Sequence, residues 1–252
     1  MRQRGGVVVT GASGDIGREA VTMLLAAGHP VIGVDTAARA AAPAATRGRH
    51  DHVVADITRA TDLTALAALL DRRGDMRHAV LVAGGAVPDE IGVDPLRVPD
   101  DVFARSVELN LSAQYRLVRH LTPVLAVGGG DRSITFVSSI NSGGNFGAPA
   151  YAAAKAGLSG LVAALSVPLG AHGIRLNAVA LGTVTTRRAA QLHADDPGRT
   201  GRMAALAASG RVLSPAEAAE TIVVVATRTR AVTGTVITAD GGQSIPGPRP
   251  PP

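Results

Sequence analysis

The sequence predicts a doubly wound α/β fold, a single parallel sheet of about seven strands with helices on both faces. Two observations predict it. Short apolar runs alternate with helical patterns along the whole chain, which implies βαβ units. The strand segments are near-continuous apolar runs, as strands covered on both faces must be. In chain order the strands read as Val7–Thr10, Val31–Val34, Val53–Ala55, Ala79–Ala83, Ile134–Ser138, Arg175–Ala180 and Val236–Thr238. The helices read as Arg18–Ala27, Leu63–Arg72, Val102–Ala126, Ala152–Leu169 and Ala216–Arg228. The last helix has a clear start: Ser214 caps, Pro215 takes the first helical position and Glu217 can reach back. His50-Asp51-His52 reads as a polar loop ahead of a strand, and Ala37–Arg49 as a short helix plus loop. Residues 1–245 form one predicted domain, and the proline-rich Pro246–Pro252 is expected to be extended or disordered.

Composition narrows the class. The chain has 252 residues, 46% of them apolar, which suffices for a large core. Aromatics are 2%, so Val, Leu, Ala and Ile must fill it. There is no cysteine, hence neither a disulfide framework nor a thiolate metal site. The formal charge is +5, but the arginines are scattered, with no basic stripe or aromatic platform. Nucleic-acid binding is therefore not expected. No segment reads as a signal peptide or as a membrane span, and a soluble, cytoplasmic protein is expected. His50, His52 and Asp56 lack metal-ligand spacing, and no Gly-x-Ser-x-Gly elbow supports a hydrolase.

One turn carries a binding signal. Thr10-Gly11-Ala12-Ser13-Gly14-Asp15-Ile16-Gly17 follows the first strand and opens a helix. Glycines there permit a tight turn and close backbone approach to a pyrophosphate, and the helix N-terminus supplies N–H donors. Asp35 ends the second strand, 18 residues after Gly17. A carboxylate at that point accepts ribose hydroxyls and repels a 2′-phosphate, which favours NAD over NADP. The alternative is NADP, with Arg39 swinging in to the 2′-phosphate. Asp56 and Ile57 follow the third strand, where a carboxylate can meet the adenine amino group.

A second pattern carries chemistry. Of 25 basic side chains only one is lysine, Lys155, four residues after Tyr151. Positions i and i+4 share a helix face, so phenol and ammonium are expected as neighbours. Arginine does not readily replace an amine that must shift its pKa beside a phenol.

With these residues the chain resembles the short-chain dehydrogenase/reductase family, in particular its bacterial ketoacyl-reductase-like members. The resemblance rests on the Thr10–Gly17 turn, Asp56, Ala83-Gly84, Asn110, Ser138-Ser139, Tyr151, Lys155, Gly182, Thr186 and Asp240-Gly241-Gly242, in family order. It implies a Rossmann-type sheet and an NAD(P)(H)-dependent oxidoreductase interconverting a secondary alcohol and a ketone. Tyr151 is then the general acid/base. Lys155 lowers the phenol pKa and holds the nicotinamide ribose. Asn110 positions a water that reaches the lysine. A strand-end serine holds the substrate oxygen. The strand pattern selects Ser139, whereas the family spacing of 13 to the tyrosine selects Ser138. The cofactor contacts implied are Gly11, Ser13, Asp15, Ile16, Gly17, Asp35, Asp56, Ile57, Ala83, Gly84, Tyr151, Lys155, Gly182, Val184 and Thr186. A homodimer or homotetramer through the two long helices is also implied. A non-catalytic dinucleotide-binding regulator of the same fold is the alternative.

The chain departs from the family pattern in several places. Asp15 stands where the turn usually has glycine. Leu81-Val82-Ala83-Gly84 replaces Asn-Asn-Ala-Gly, which removes two side chains that tie the central strands. Leu181 replaces a proline before Gly182. The loop before Tyr151 is one residue short, and Tyr115 is expected to pack without a chemical role. The run Arg187–Gly210, with Gly144–Pro149 beside it, reads as a mobile lid that selects substrate.

Overall fold

The computed structural model describes residues 5–36, 49–127, 129–144 and 147–245. Its sheet comprises β1 (Gly6–Thr10), β2 (Val31–Asp35), β3 (His50–Val54), β4 (Met76–Leu81), β5 (Arg132–Ser139), β6 (Ile174–Leu181) and β7 (Thr235–Ala239). All pairs are parallel, in the order β3-β2-β1-β4-β5-β6-β7. Strand order reverses between β1 and β4. The chain ends of those strands therefore diverge and leave a crevice at the carboxyl edge.

Both faces are covered. Helices α1 (Asp15–Ala26) and α8 (Pro215–Thr227) place Leu24, Leu25, Ile222 and Val225 against Val7, Val9 and Val179. On the other face lie α2 (Ala60–Arg73), α4 (Ala113–Ala126) and α5 (Pro149–Ala171). They bring Leu63, Leu70, Leu117, Leu121, Leu158 and Val162 onto Val8, Ile134, Phe136 and Leu176. Phe136 is the only fully buried aromatic among the described residues, so branched aliphatics and alanine fill the core as composition required. The capping box of α8 forms as read: the Ser214 hydroxyl accepts from Glu217 N and the Ser214 N–H donates to the Glu217 carboxylate.

Three differences from the sequence reading have physical causes. His50–His52 belongs to β3, not to a loop. This edge strand pairs only with β2, so backbone pairing sets it without an apolar pattern. The long helix expected over Val102–Ala126 is interrupted. Helix α3 (Asp100–Val107) passes into α4 through a π-helical turn, Glu108–Ser112, which holds Asn110. Finally, α5 is long and apolar enough, by length and composition, to cross a membrane, although no span was expected. It is rich in Ala, Gly and Leu with Lys155 as its one charge. It packs against the sheet through Ala154, Leu158 and Val162 and so reads as a core helix. The tail and Arg39 lie outside the described residues.

Candidate active site

A cavity of about 740 Å³ opens at the carboxyl edge of the sheet. Its walls come from the ends of β1, β2, β4, β5 and β6 and from the start of α5. The lid run forms its roof as α6 (Arg187–Leu192) and α7 (Arg199–Leu206). The run read as a lid is thus built from two helices.

The glycine turn fits a dinucleotide. Gly11 has φ +67, a value that L side chains rarely adopt. A Cβ on Gly17 would lie 2.0 Å from Gly11 O, so the helix meets the turn with no room for a side chain. This cradle, with free space in front of the α1 N-terminus, suits a pyrophosphate. Ser13 N donates to Asp35 Oδ2 at 2.9 Å and Thr36 N to Oδ1 at 2.8 Å. The carboxylate thus stands at the cavity wall and keeps lone pairs for hydroxyl groups. Asp56 accepts from Thr58 N and Oγ1 at 2.9 and 2.7 Å, and those bonds, led by the hydroxyl, hold its carboxyl below the usual range. Ile57 is buried beside it on the same wall.

Asp15 lines the cavity at the turn, and its side chain makes a pairing that the sequence did not show. Its two oxygens accept from Arg187 N at 2.6 Å and Arg187 Nε at 2.7 Å. Burial alone would raise its pKa, but the Arg187 bonds outweigh it and hold the carboxyl low. The residue that replaces glycine in the turn therefore ties down the first residue of α6.

The missing asparagines after β4 are replaced by other hydrogen-bonding partners. Thr10 Oγ1 accepts from Ala83 N at 3.2 Å, and Gln114 Nε2 donates to Ala83 O at 2.8 Å. Asn110 is fully buried. Its Oδ1 accepts from Gly85 N at 2.8 Å, and its Nδ2 donates to Gly85 O and Ser106 O at 3.1 and 3.0 Å. Its amide thus clamps the Gly84-Gly85 backbone. Gly84, with φ +144, has no space for a side chain, since a Cβ would lie 2.8 Å from Asn110 Oδ1.

The two serines separate cleanly. Ser138 is buried and donates to Lys155 O at 3.2 Å, inside the sheet–helix contact. The Ser139 oxygen accepts from Asn141 N at 3.1 Å, and its hydroxyl stands close enough to the Tyr151 phenol to pull the phenol's pKa down. Geometry therefore brings Ser139 to Tyr151 and turns Ser138 away.

Tyr151 and Lys155 lie on one face of α5, with Nζ 5.5 Å from the phenol ring centroid. Their coupling differs from the expectation. Lys155 is buried, and Nζ donates to Val137 O at 2.8 Å. Burial pushes its pKa down to about 8. The Tyr151 phenol is raised, not lowered: burial dominates, the Ser139 bond and the Arg188 charge oppose it, and Glu90 adds to it. The amine faces a carbonyl, so its charge is spent there first.

Glu90 escaped the sequence reading. It lies in a short 3₁₀ turn, Pro88–Glu90, and is 1% exposed. Its Oε1 accepts from Ala150 N at 2.7 Å and Tyr151 N at 3.0 Å, and Oε2 from Ser106 Oγ at 3.1 Å. A helix start has four orphan donors. In α5 the first residue is Pro149, which has no N–H. Glu90 takes the next two, and Ala152 N bonds Ala148 O at 2.9 Å. Ala148 holds φ +53 to allow this path. The carboxylate is thus an N-cap supplied from another segment, and it fixes the backbone of Tyr151. An alanine at the N-cap position ahead of Pro149 was the signal that a cap had to come from elsewhere.

Past β6, Gly182 N bonds Ala239 O at 3.0 Å, and Val184 bridges to Leu213. The Thr186 hydroxyl accepts from Ala189 N at 3.0 Å and caps α6; its proton remains available to a ligand. Tyr115 is 40% exposed with Arg119 over its ring, instead of packed as expected. Residues 145 and 146, in the loop thought one residue short, lie outside the described residues.

A seven-stranded parallel sheet with a dinucleotide cradle at its switch point and a Ser–Tyr–Lys cluster beside it defines a nucleotide-linked oxidoreductase architecture. The comparisons agree. A family profile described as Enoyl-(Acyl carrier protein) reductase matches residues 11–244. A cis-4-hydroxycyclohexanecarboxylate dehydrogenase of Sinomonas cyclohexanicum is 32% identical over 93% of this chain and 94% of its own. An oxidoreductase structure of the short-chain dehydrogenase/reductase family from Burkholderia thailandensis superposes with a TM-score of 0.84, at 28% identity, over 96% and 93% of the two chains. An aldohexose dehydrogenase from Thermoplasma acidophilum does so with a TM-score of 0.83, at 26% identity, over 99% and 98%. The chain belongs to the short-chain dehydrogenase/reductase family of oxidoreductases, whose members use a nicotinamide dinucleotide.

Proposed function

We propose that this chain interconverts a secondary alcohol and a ketone, with NAD(H) preferred, and that Tyr151 exchanges the proton with the substrate oxygen. The observation that carries the reading is the Tyr151 phenol at the cavity wall, with Ser139 beside it and Lys155 Nζ 5.5 Å from its ring centroid. Reduction adds a hydride to the carbonyl carbon and a proton to its oxygen. A bound reduced nicotinamide supplies the hydride. Tyr151 donates the proton, and a phenol held protonated by burial is in the right form to do so near neutral pH. Ser139 holds the same oxygen. Lys155, the only amine side chain, balances the phenolate left behind. In the alcohol-to-ketone direction the phenol must first ionise. The cyclohexane-ring alcohol in the Sinomonas relative's name supports a secondary alcohol as substrate. The regulator alternative gives no reason for Ser139, Tyr151 and Lys155 to gather at one cavity wall.

NAD is favoured because Asp35, a carboxylate at the cavity wall at the end of β2, would accept ribose hydroxyls and repel a 2′-phosphate. The test is to mix the protein with NADH or NADPH and a panel of ketones and follow absorbance. Faster oxidation of NADH is expected; preference for NADPH would contradict the cofactor assignment, and binding without turnover the whole reading. Asp35→Ala should narrow the preference by on the order of tenfold. It should also weaken NADH binding, because Ser13 N loses its acceptor. The same reading includes a homodimer or homotetramer in which the exposed Phe103, Tyr115 and Val167 on the helix faces become covered.

A further inference from the structure

The reacting end of the cavity carries an arginine without an acidic partner. Arg188 follows the tethered Arg187 and lines the same cavity as Tyr151 and Ser139. Its Nη2 donates to Ala86 O at 2.7 Å. Its Nε lies 3.2 Å from where a Cβ on Gly85 would stand, so only glycine there, at φ +130, leaves room for the guanidinium. The floor beneath is rigid, because Asn110 clamps Gly85 on both sides. Arg188 is thus anchored at both ends, by the Asp15–Arg187 pair behind it and the Ala86 carbonyl in front.

Charge along the cleft is polarised. The acidic residues on its wall are Asp15, Asp35 and Asp56, and all stand at the turn and the adenosine side. Arg187 is already neutralised by Asp15. Among the described residues no carboxylate pairs with Arg188, although most arginines that make ion pairs lie farther from the cavity. One guanidinium N–H is used on Ala86, and Arg188 lines the cavity that also holds the phenol, with other donors of its five left for a ligand. Its charge reaches the phenol, as the downward pull on Tyr151 records. Arg188 is exposed at the cavity mouth, and a cation there, with a planar fork of donors, matches a carboxylate entering from solvent.

We infer that Arg188 is the counter-ion for a carboxylate on the substrate, so that the chain acts on hydroxy acids and keto acids in preference to neutral alcohols and ketones. The inference rests on the reaction proposed above and names its substrate class. The reaction is unchanged: hydride to the carbonyl carbon and proton to its oxygen, with the carboxylate a bystander that fixes orientation.

The test pairs each of three keto acids, 4-oxocyclohexanecarboxylate, levulinate and acetoacetate, with its methyl ester, using NADH. At least one acid should be reduced with kcat/KM about 10- to 100-fold above its ester. Arg188→Met should remove that difference, mostly by raising KM for the acid, and leave NADH affinity within about threefold. Arg188→Lys should recover only part of it, since a point charge lacks the fork. Reduction of the esters or of cyclohexanone in preference to the acids would overturn the inference and leave the oxidoreductase reading standing. An equal fall for acid and ester in Arg188→Met, or a loss of NADH affinity, would also overturn it, by assigning the guanidinium to the cofactor. NADH binding with no ketone reduced at all would overturn both.

Discussion

Lys155→Met is expected to yield a protein that is more stable at neutral pH yet has lost at least about a hundredfold in turnover. The stability half follows from burial. The amine is 3% exposed, and its pKa falls from 10.5 to about 8 because no carboxylate offsets its desolvation. A folded-state pKa below the unfolded one means that the native state binds the proton more weakly. The protonated amine therefore costs stability fully below pH 8, and the cost fades as pH rises towards 10.5. A shift of that size corresponds to roughly 3 kcal/mol. Methionine, of similar volume, removes this cost but also the bond to Val137 O, worth about 1 kcal/mol. A net gain of about 1–2 kcal/mol should remain at pH 7, visible in thermal melts. The gap between mutant and wild type should shrink between pH 8 and pH 10. A mutant that melts below the wild type at pH 7 would contradict the account of Lys155 as a costly buried charge. The activity half follows from chemistry: without the amine nothing balances the phenolate, and general acid/base contributions are typically about 10²–10⁴-fold. A residue that costs stability and faces the cavity is what a stability–function trade-off predicts.

Glu90 gives the second large effect. Glu90→Ala leaves Ala150 N–H and Tyr151 N–H without acceptors in a buried place. Each orphaned donor costs about 1–3 kcal/mol, and the favourable charge at the helix N-terminus is lost as well. A loss of about 3–5 kcal/mol in urea unfolding is expected. Glu90→Gln separates geometry from charge. Its oxygen can accept from both N–H groups, and Ser106 can turn to accept from the new amide. Stability should fall by only about 1 kcal/mol. The groups facing the phenol are Ser139 from β5, Lys155 from α5, Arg188 from α6 and Glu90 from the 3₁₀ turn. Removal of the one negative charge among them should move the phenol limb of the kcat/KM profile to lower pH. An unmoved profile would reduce Glu90 to a structural cap.

The parts of this design that were legible in the sequence are local. Apolar runs set the strands, Gly11 and Gly17 set the turn, and spacing alone placed Tyr151 and Lys155 on one face. The parts that were not legible depend on distant partners. A lone Glu90 in a loop reads as solvated until the bare N-terminus of α5 arrives beside it. The π turn at Asn110 leaves no pattern, because its cause is the clamp on Gly85. Asp15 looked like a variant of the turn, and only the fold brings Arg187 to it, 172 residues away. The third strand was read only from Val53, and its polar start at His50–His52 was hidden because an edge strand needs pairing more than apolar residues. The phenol pKa was misjudged in direction: sequence shows that the amine is adjacent but not that it bonds Val137 O, nor how deeply both groups are buried.

Tyr151 is the hinge of the functional reading, and Tyr151→Phe measures it directly. Phenylalanine keeps the ring and the helix start but removes the hydroxyl and its proton. NADH affinity, followed by nucleotide fluorescence, should stay within about threefold, while ketone reduction at pH 7 falls by at least about a hundredfold. Turnover within a few-fold of wild type, with NADH still bound, would show that the proton comes from elsewhere and contradict the mechanism.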